Sequence, residues 1–149
     1  MYQLNLPQFE IKISKQNERT YVFDVLRKKY IALTPEEWVR QHFVHFLMEH
    51  KGYPANLLIN EVELTIGSKK LRCDSLLYNT KGAPRMIIEY KAPYIPITRK
   101  VFDQIYSYNL ILKADYLVIS NGIQHIACRV DYTNNKYVFL RDIPDYTSL

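Results

Sequence analysis

Between Leu71 and Lys91 the chain carries two apolar, β-prone runs, Leu71-Arg-Cys-Asp-Ser-Leu-Leu-Tyr78 and Arg85-Met-Ile-Ile-Glu-Tyr-Lys91. A turn-rich spacer holding Gly82 and Pro84 joins them, which predicts strand, loop, strand. Charge interrupts both runs: Asp74 lies inside the first, and Glu89 and Lys91 lie at the end of the second. A charge within a core-like strand is costly unless it is paired or bound to a metal. Any fold that buries these runs must therefore bring the three charges to partners.

Strand geometry offers one arrangement. Residues two apart in a strand share a face, roughly 7 Å apart along it. Glu89 and Lys91 then point one way and Tyr90 the other. If the two strands pair as an antiparallel hairpin, Asp74 lies near Glu89. The result is two carboxylates able to hold a hard cation through oxygen ligands, with an ammonium beside them. Mg²⁺, with Mn²⁺ as a substitute, is commonly held by one or two carboxylates plus water and substrate phosphate. A metal so placed polarises a phosphoryl oxygen and lowers the pKa of bound water. Lys91 is placed to orient the attacking water or, if desolvated, to take its proton. The competing account of the same three residues is a buried ion-pair network.

Asp74 followed by Glu89-Tyr90-Lys91 resembles the PD-(D/E)xK nuclease signature. A longer ordered set is more specific. Leu33-Thr-Pro-Glu-Glu-Trp-Val-Arg40, Gly52-Tyr-Pro54, Arg72-Cys-Asp74, Ile88-Glu-Tyr-Lys-Ala-Pro93 and Gln104 through Tyr108-Asn109 resemble small proteins similar to the N-terminal domain of type I restriction enzyme R subunits. The likeness runs from about Arg27 to about Arg129, with Cys73 in place of the proline before Asp74. It implies a restriction-endonuclease-like core, a Mg²⁺-dependent deoxyribonuclease activity, DNA as substrate and restriction-type partner proteins.

The 149 residues fit one domain, read as an N-terminal hairpin extension over 1–31 and a core over 34–131. No apolar window of eighteen residues and no signal-like start is present, so no membrane partner and a cytoplasmic location are expected. Cys73 and Cys128 read as buried thiols, and two cysteines with four scattered histidines make no zinc pattern. A net charge of +5 suits a polyanionic partner without proving one.

In chain order, Phe9–Ile13 and Tyr21–Val25 predict an N-terminal hairpin, packed beside the main sheet or serving a homodimer contact. Arg27-Lys28-Lys29 is a basic cluster that reads as a solvated strand end, with a phosphate contact as the alternative. Thr34, Pro35 and Glu37 form a helix start with a capping-box pattern, and the helix runs to about Lys51 before Gly52. The resemblance makes Glu37 the upstream acidic residue of the site, with Glu36 as the alternative. Arg40 is either a phosphate contact or a partner of Glu36. His42, His45 and His50 read as surface or core-edge residues.

Leu57–Ile66 predicts a strand in which Glu61 and Glu63 share a face, as a solvated edge or with Glu61 near the metal. Pro93 and Pro96 bar regular structure until Thr98, which opens a helix to about Lys113. Arg99 and Lys100 in its first turn oppose the helix dipole, which suits tracking a DNA backbone. Gln104 and Tyr108 share a helix face. By resemblance this pair borders the active site; otherwise Tyr108 is core and Gln104 rim. Asp115–Ser120 and Ile123–Val130 predict strands, Lys136–Leu140 an edge strand, and Ile143–Leu149 a fraying tail.

The expected fold is α/β (α+β mixed sheet): a central mixed β-sheet flanked by helices, with a right-handed crossover between residues 85 and 120. The alternative function is a nucleic-acid-binding or assembly module that keeps the nuclease fold without efficient cleavage.

Overall fold

Short antiparallel strands open the chain because alternating residues are cut by tight turns. β1 (Ile13–Gln16), β2 (Arg19–Asp24) and β3 (Lys29–Ala32) pair in that order. The computed structural model describes residues 1–149. The expected hairpin is present but shifted. Asn17 and Glu18 take left-handed φ values of +50° and +65° and make the turn, so the first strand starts at Ile13, not Phe9. A third strand, β3, begins in what the sequence suggested was only a basic cluster.

This small sheet is tied to the rest of the molecule by Asp24. Its carboxylate accepts hydrogen bonds from the Leu26 and Arg27 backbone N–H groups and from the Asn60 amide at 2.9 Å.

Helix α1 (Pro35–His50) starts where the cap predicts, with the Thr34 hydroxyl accepting from Glu37 N–H at 3.0 Å. It ends at Gly52, whose φ of +74° suits a residue without Cβ. Val39, Phe43 and Leu47 form its buried stripe.

A six-stranded sheet follows: β4 (Leu58–Ile66), β5 (Lys69–Tyr78), β6 (Pro84–Tyr90), β7 (Tyr116–Ser120), β8 (His125–Asp131) and β9 (Lys136–Phe139). Its spatial order is the sequence order. Every pair is antiparallel except β6 with β7, which α2 (Arg99–Leu112) connects as a crossover.

Alternation splits the sheet between two cores. On β6 and β7, Met86, Ile88, Tyr90, Tyr116 and Val118 pack with α1, whereas Ile87, Leu117 and Ile119 pack with Ile105 and Leu112 of α2. Both sheet faces are thus dry, which is why these strands read as continuous apolar runs. Cys73 and Cys128 are both buried and free in the α2-side core.

The C-terminal segment is not a fraying tail. Ile143 is buried in the α1-side core, Tyr53 donates its hydroxyl to Pro144 C=O at 2.9 Å, and Tyr146 N–H donates to Lys51 C=O at 2.8 Å. The apolar residues Ile143, Tyr146 and Leu149 find a wall made by α1 and Tyr53, a long-range partner that local sequence does not disclose. The packed unit therefore extends past residue 131. It also takes in Leu4 and Leu6 at the N-terminus.

Candidate active site

Regular alternation fails at Asp74, and that failure builds the site. Leu71 and Cys73 pack in the α2-side core, yet Leu77 packs in the α1-side core. Ser75 joins the second group, accepting from Tyr90 Oη at 2.9 Å. The side on which residues point changes between Cys73 and Ser75. On the facing strand the break falls at Glu61, whose φ of +56° is left-handed. It separates Leu58, in the α1-side core, from Val62, in the α2-side core. A left-handed non-glycine inside a strand costs of order 1–3 kcal/mol and persists only where surrounding contacts enforce it.

The enforcing contacts are ionic. Glu61 accepts from Arg40 Nη2 at 2.5 Å and from Arg72 Nη2 at 2.7 Å. Arg40 Nη2 also lies 4.0 Å from Asp74 Oδ1, and its Nε lies 3.4 Å from Glu37 Oε2. Its guanidinium sits 5.7 Å from the Tyr90 ring centroid. Arg40 is buried, and its Nε and Nη1 groups have no hydrogen-bond acceptor.

Asp74 stands where β5–β6 pairing stops: the last paired residues are Ser75 and Ile88. Its Oδ2 accepts from Tyr90 N–H at 2.8 Å, so the side chain continues the ladder where the backbone leaves it. That contact carries the Asp74 carboxyl to Glu89, and the two side chains lie within hydrogen-bond reach. Burial, and then the Asp74 charge, push the Glu89 carboxyl up to about 8. Burial also raises Asp74, against the opposing pull of the Tyr90 N–H and Arg40. Like charges this close in a dry setting cannot both ionise without a cation between or beside them.

Lys91 follows the last residue of β6, and its Nζ lies 3.7 Å from Glu89 Oε1 and donates to Gln104 Oε1 at 3.5 Å. Asp74, Glu89, Lys91, Gln104 and Arg40 are thus brought together. Glu37 joins them through Arg40, whose Nε lies 3.4 Å from its Oε2; its carboxylate also accepts from Arg27 Nη2 at 2.6 Å and from Gln41 at 3.2 Å, inside a buried network. Glu36, the alternative, is exposed at the helix start. Arg40 binds Glu61, not Glu36. Tyr108 packs against the α2-side core. Lys100 is exposed. Arg99 lines a groove of about 520 Å³ between α2 and β9, with Phe102, Tyr106, Tyr137 and Phe139. None of the groove's lining residues belongs to the carboxylate pair.

Sequence reasoning missed the support beneath the pair. Asn60 donates to Asp24, Ser75 donates to Asn60 Oδ1 at 2.6 Å, and Tyr90 donates to Ser75. All four side chains are buried. The available signal was the polar residues Asn60 and Ser75 at facing positions of two otherwise apolar strand halves.

The donor set suits a hard divalent cation. Two adjoining carboxyl groups offer oxygen ligands, and Mg²⁺ accepts one or two such ligands while keeping water. No group of three or more His, Cys, Asp or Glu side chains is placed to share one cation.

Comparison with known proteins agrees with this architecture. The family described as Type I restriction enzyme R protein N terminus (HSDR_N) matches residues 35–144, most of the chain. A fragment structure of a putative HsdR subunit of a type I restriction enzyme from Vibrio vulnificus YJ016 aligns with a TM-score of 0.53 and 23% identity, over 76% of this chain. The chain spans 24% of the length of that structure. No curated protein matches it.

Proposed function

This chain belongs to the family of the Type I restriction enzyme R protein N terminus, and on that premise we propose that it is a metal-dependent nuclease domain acting on DNA phosphodiester bonds. The observation that carries the reading is the meeting of the Asp74 and Glu89 carboxyls, from neighbouring strands, beside the Lys91 ammonium. Asp74 and Glu89 hold Mg²⁺ or Mn²⁺. The bound cation supplies Lewis-acid polarisation of a phosphoryl oxygen and a more acidic water. Glu89 gives up its proton before it can serve as a ligand. Lys91 orients the attacking water, and Gln104 restrains the ammonium by accepting its hydrogen bond. Arg40 fixes Asp74 from the helix side. Arg99 and Lys100 stand on exposed surface, where they track phosphates. Other subunits complete a restriction-type complex around this domain.

Nicking of supercoiled plasmid in Mg²⁺, Mn²⁺ or EDTA tests this. Nicking is expected with either metal and lost to background in EDTA and in Asp74→Ala and Lys91→Ala. If the wild type and both variants behave alike, or the wild type binds DNA without nicking it, the protein is instead a nucleic-acid-binding or assembly module. The observation favouring that second reading is that Glu37 and Arg40 are committed to ion pairs.

A further inference from the structure

The N-terminal sheet carries an outward face that neither core absorbs. Val22 and Asp24 of β2 are buried, which fixes the inward side. Tyr21 and Phe23 alternate with them, and Phe23 pairs with Tyr30 of β3. The Phe23 and Tyr30 rings meet edge to face at 5.3 Å between centroids. Lys12 Nζ stands 5.6 Å from the Phe23 centroid. Tyr30 is 47% exposed. Tyr21, Phe23 and Tyr30 belong to neither apolar core.

The strand positions of this face carry one charge, the Arg19 cation. β1 presents Ser14 and Gln16, β2 presents Arg19, Tyr21 and Phe23, and β3 presents Tyr30 and Ala32, by the register in which Ser14 opposes Tyr21 and Gln16 opposes Arg19. No carboxylate occupies an outward strand position. Lys12 and Arg19 are exposed, and Lys28 is exposed in the turn between β2 and β3. Glu10 precedes the sheet and Glu18 sits in the β1–β2 turn. Aromatic rings on an open antiparallel sheet, rimmed by cations, match what single strands require: π-faces for unstacked bases and ammonium or guanidinium groups for phosphates. Duplex DNA offers no free base faces to such a surface. A protein partner of acidic character would meet the cations and leave the rings with no specific use.

We propose that Phe23, Tyr30 and Lys12, with Arg19 and Lys28 at the rim, form a stacking platform for single-stranded DNA on the N-terminal sheet. The choice of DNA over RNA rests on the nuclease reading above; the platform itself does not.

The test is fluorescence anisotropy of a labelled oligothymidine of about 12 residues, within the usual site sizes, in EDTA so that cleavage plays no part. EDTA strips any cation from the Asp74–Glu89 pair, so failure of the nuclease reading leaves this result standing. Tyr30→Ala should weaken binding by at least about fivefold, the lower end for loss of one base stack. Tyr30→Phe should restore it. Lys12→Ala should reduce the slope of log affinity against log salt by about 0.7, the value for one phosphate contact on a single strand. A self-complementary duplex of equal length should bind more weakly than the single strand. Absence of oligothymidine binding overturns the proposal, as does equal binding by Tyr30→Ala. Tighter binding to the duplex overturns it too. Tighter binding of oligouridine than of oligothymidine overturns the choice of DNA.

Discussion

Replacing Arg40 by Met keeps the aliphatic stem but removes the cation that faces three carboxylates. Breaking a buried ion pair by deleting one partner typically costs about 3–5 kcal/mol. Two of the three acids keep a second arginine here: Glu37 retains Arg27 at 2.6 Å and Glu61 retains Arg72 at 2.7 Å. Asp74 has no other cation within ion-pair distance, although 21% of its side chain reaches solvent. The loss should therefore fall at the low end, about 3 kcal/mol. For a domain of this size that corresponds to a Tm decrease of roughly 6–12 °C. The left-handed Glu61 gains nothing from the substitution, because its conformation is held by Arg40 and Arg72 together. Calorimetry at neutral pH in low and in high salt is the assay. The loss should persist in high salt, since buried pairs are screened little. Arg72→Met is the control, with a side chain 74% exposed; it should cost far less, as exposed ion pairs do. An Arg40→Met loss no larger than that of Arg72→Met would refute the reasoning, since the network would then be as solvated as the surface.

Ile143→Ala should cost about 2–4 kcal/mol, the range for a truncated core residue, measured by urea unfolding; a change within the error of measurement would mean the C-terminal segment is detached. Ser75→Ala leaves the Asn60 carbonyl and the Tyr90 hydroxyl without their shared partner, at about 1–3 kcal/mol by the same method. The Glu89 carboxyl, held up at about 8 by burial and the Asp74 charge, binds a proton in the folded state that it lacks when unfolded. Its contribution to stability is complete below the unfolded value of 4.5 and is lost as pH rises through about 8. Thermal stability in EDTA should accordingly fall over that window, and Glu89→Gln should flatten the fall. Asp24 has the opposite sign. Burial raises its carboxyl, but the bonds from Arg27 and Asn60 outweigh burial and hold it below 3.8. Its stabilisation is present above that value and is lost as acid takes pH through the lowered one, so Asp24→Asn should erase part of the acid sensitivity.

The sequence made some of this plain. Apolar runs cut by Asp74, Glu89 and Lys91 require partners, and strand spacing alone puts Glu89 and Lys91 on one side. The cap at Thr34 and the stop at Gly52 are local, so α1 was legible almost residue by residue. Hidden from sequence was what depends on register and on distant contacts. Glu61 leaves the regular strand conformation because Arg40, twenty-one positions earlier, draws its carboxylate. No pattern of two or 3.6 residues encodes that. The same holds for Glu37, whose carboxylate is drawn to Arg27 and Arg40. Ile143 looked like part of a polar, terminal segment until Tyr53 and α1 supplied the surface it covers.

A crystal soaked in Mn²⁺ above pH 8, read by anomalous scattering, addresses the two-carboxylate site most directly. The account predicts a single strong peak touching oxygens of both Asp74 and Glu89, absent from Asp74→Asn crystals. A peak bound by Glu61 or Glu37 instead, or none at the Asp74–Glu89 pair, would contradict it.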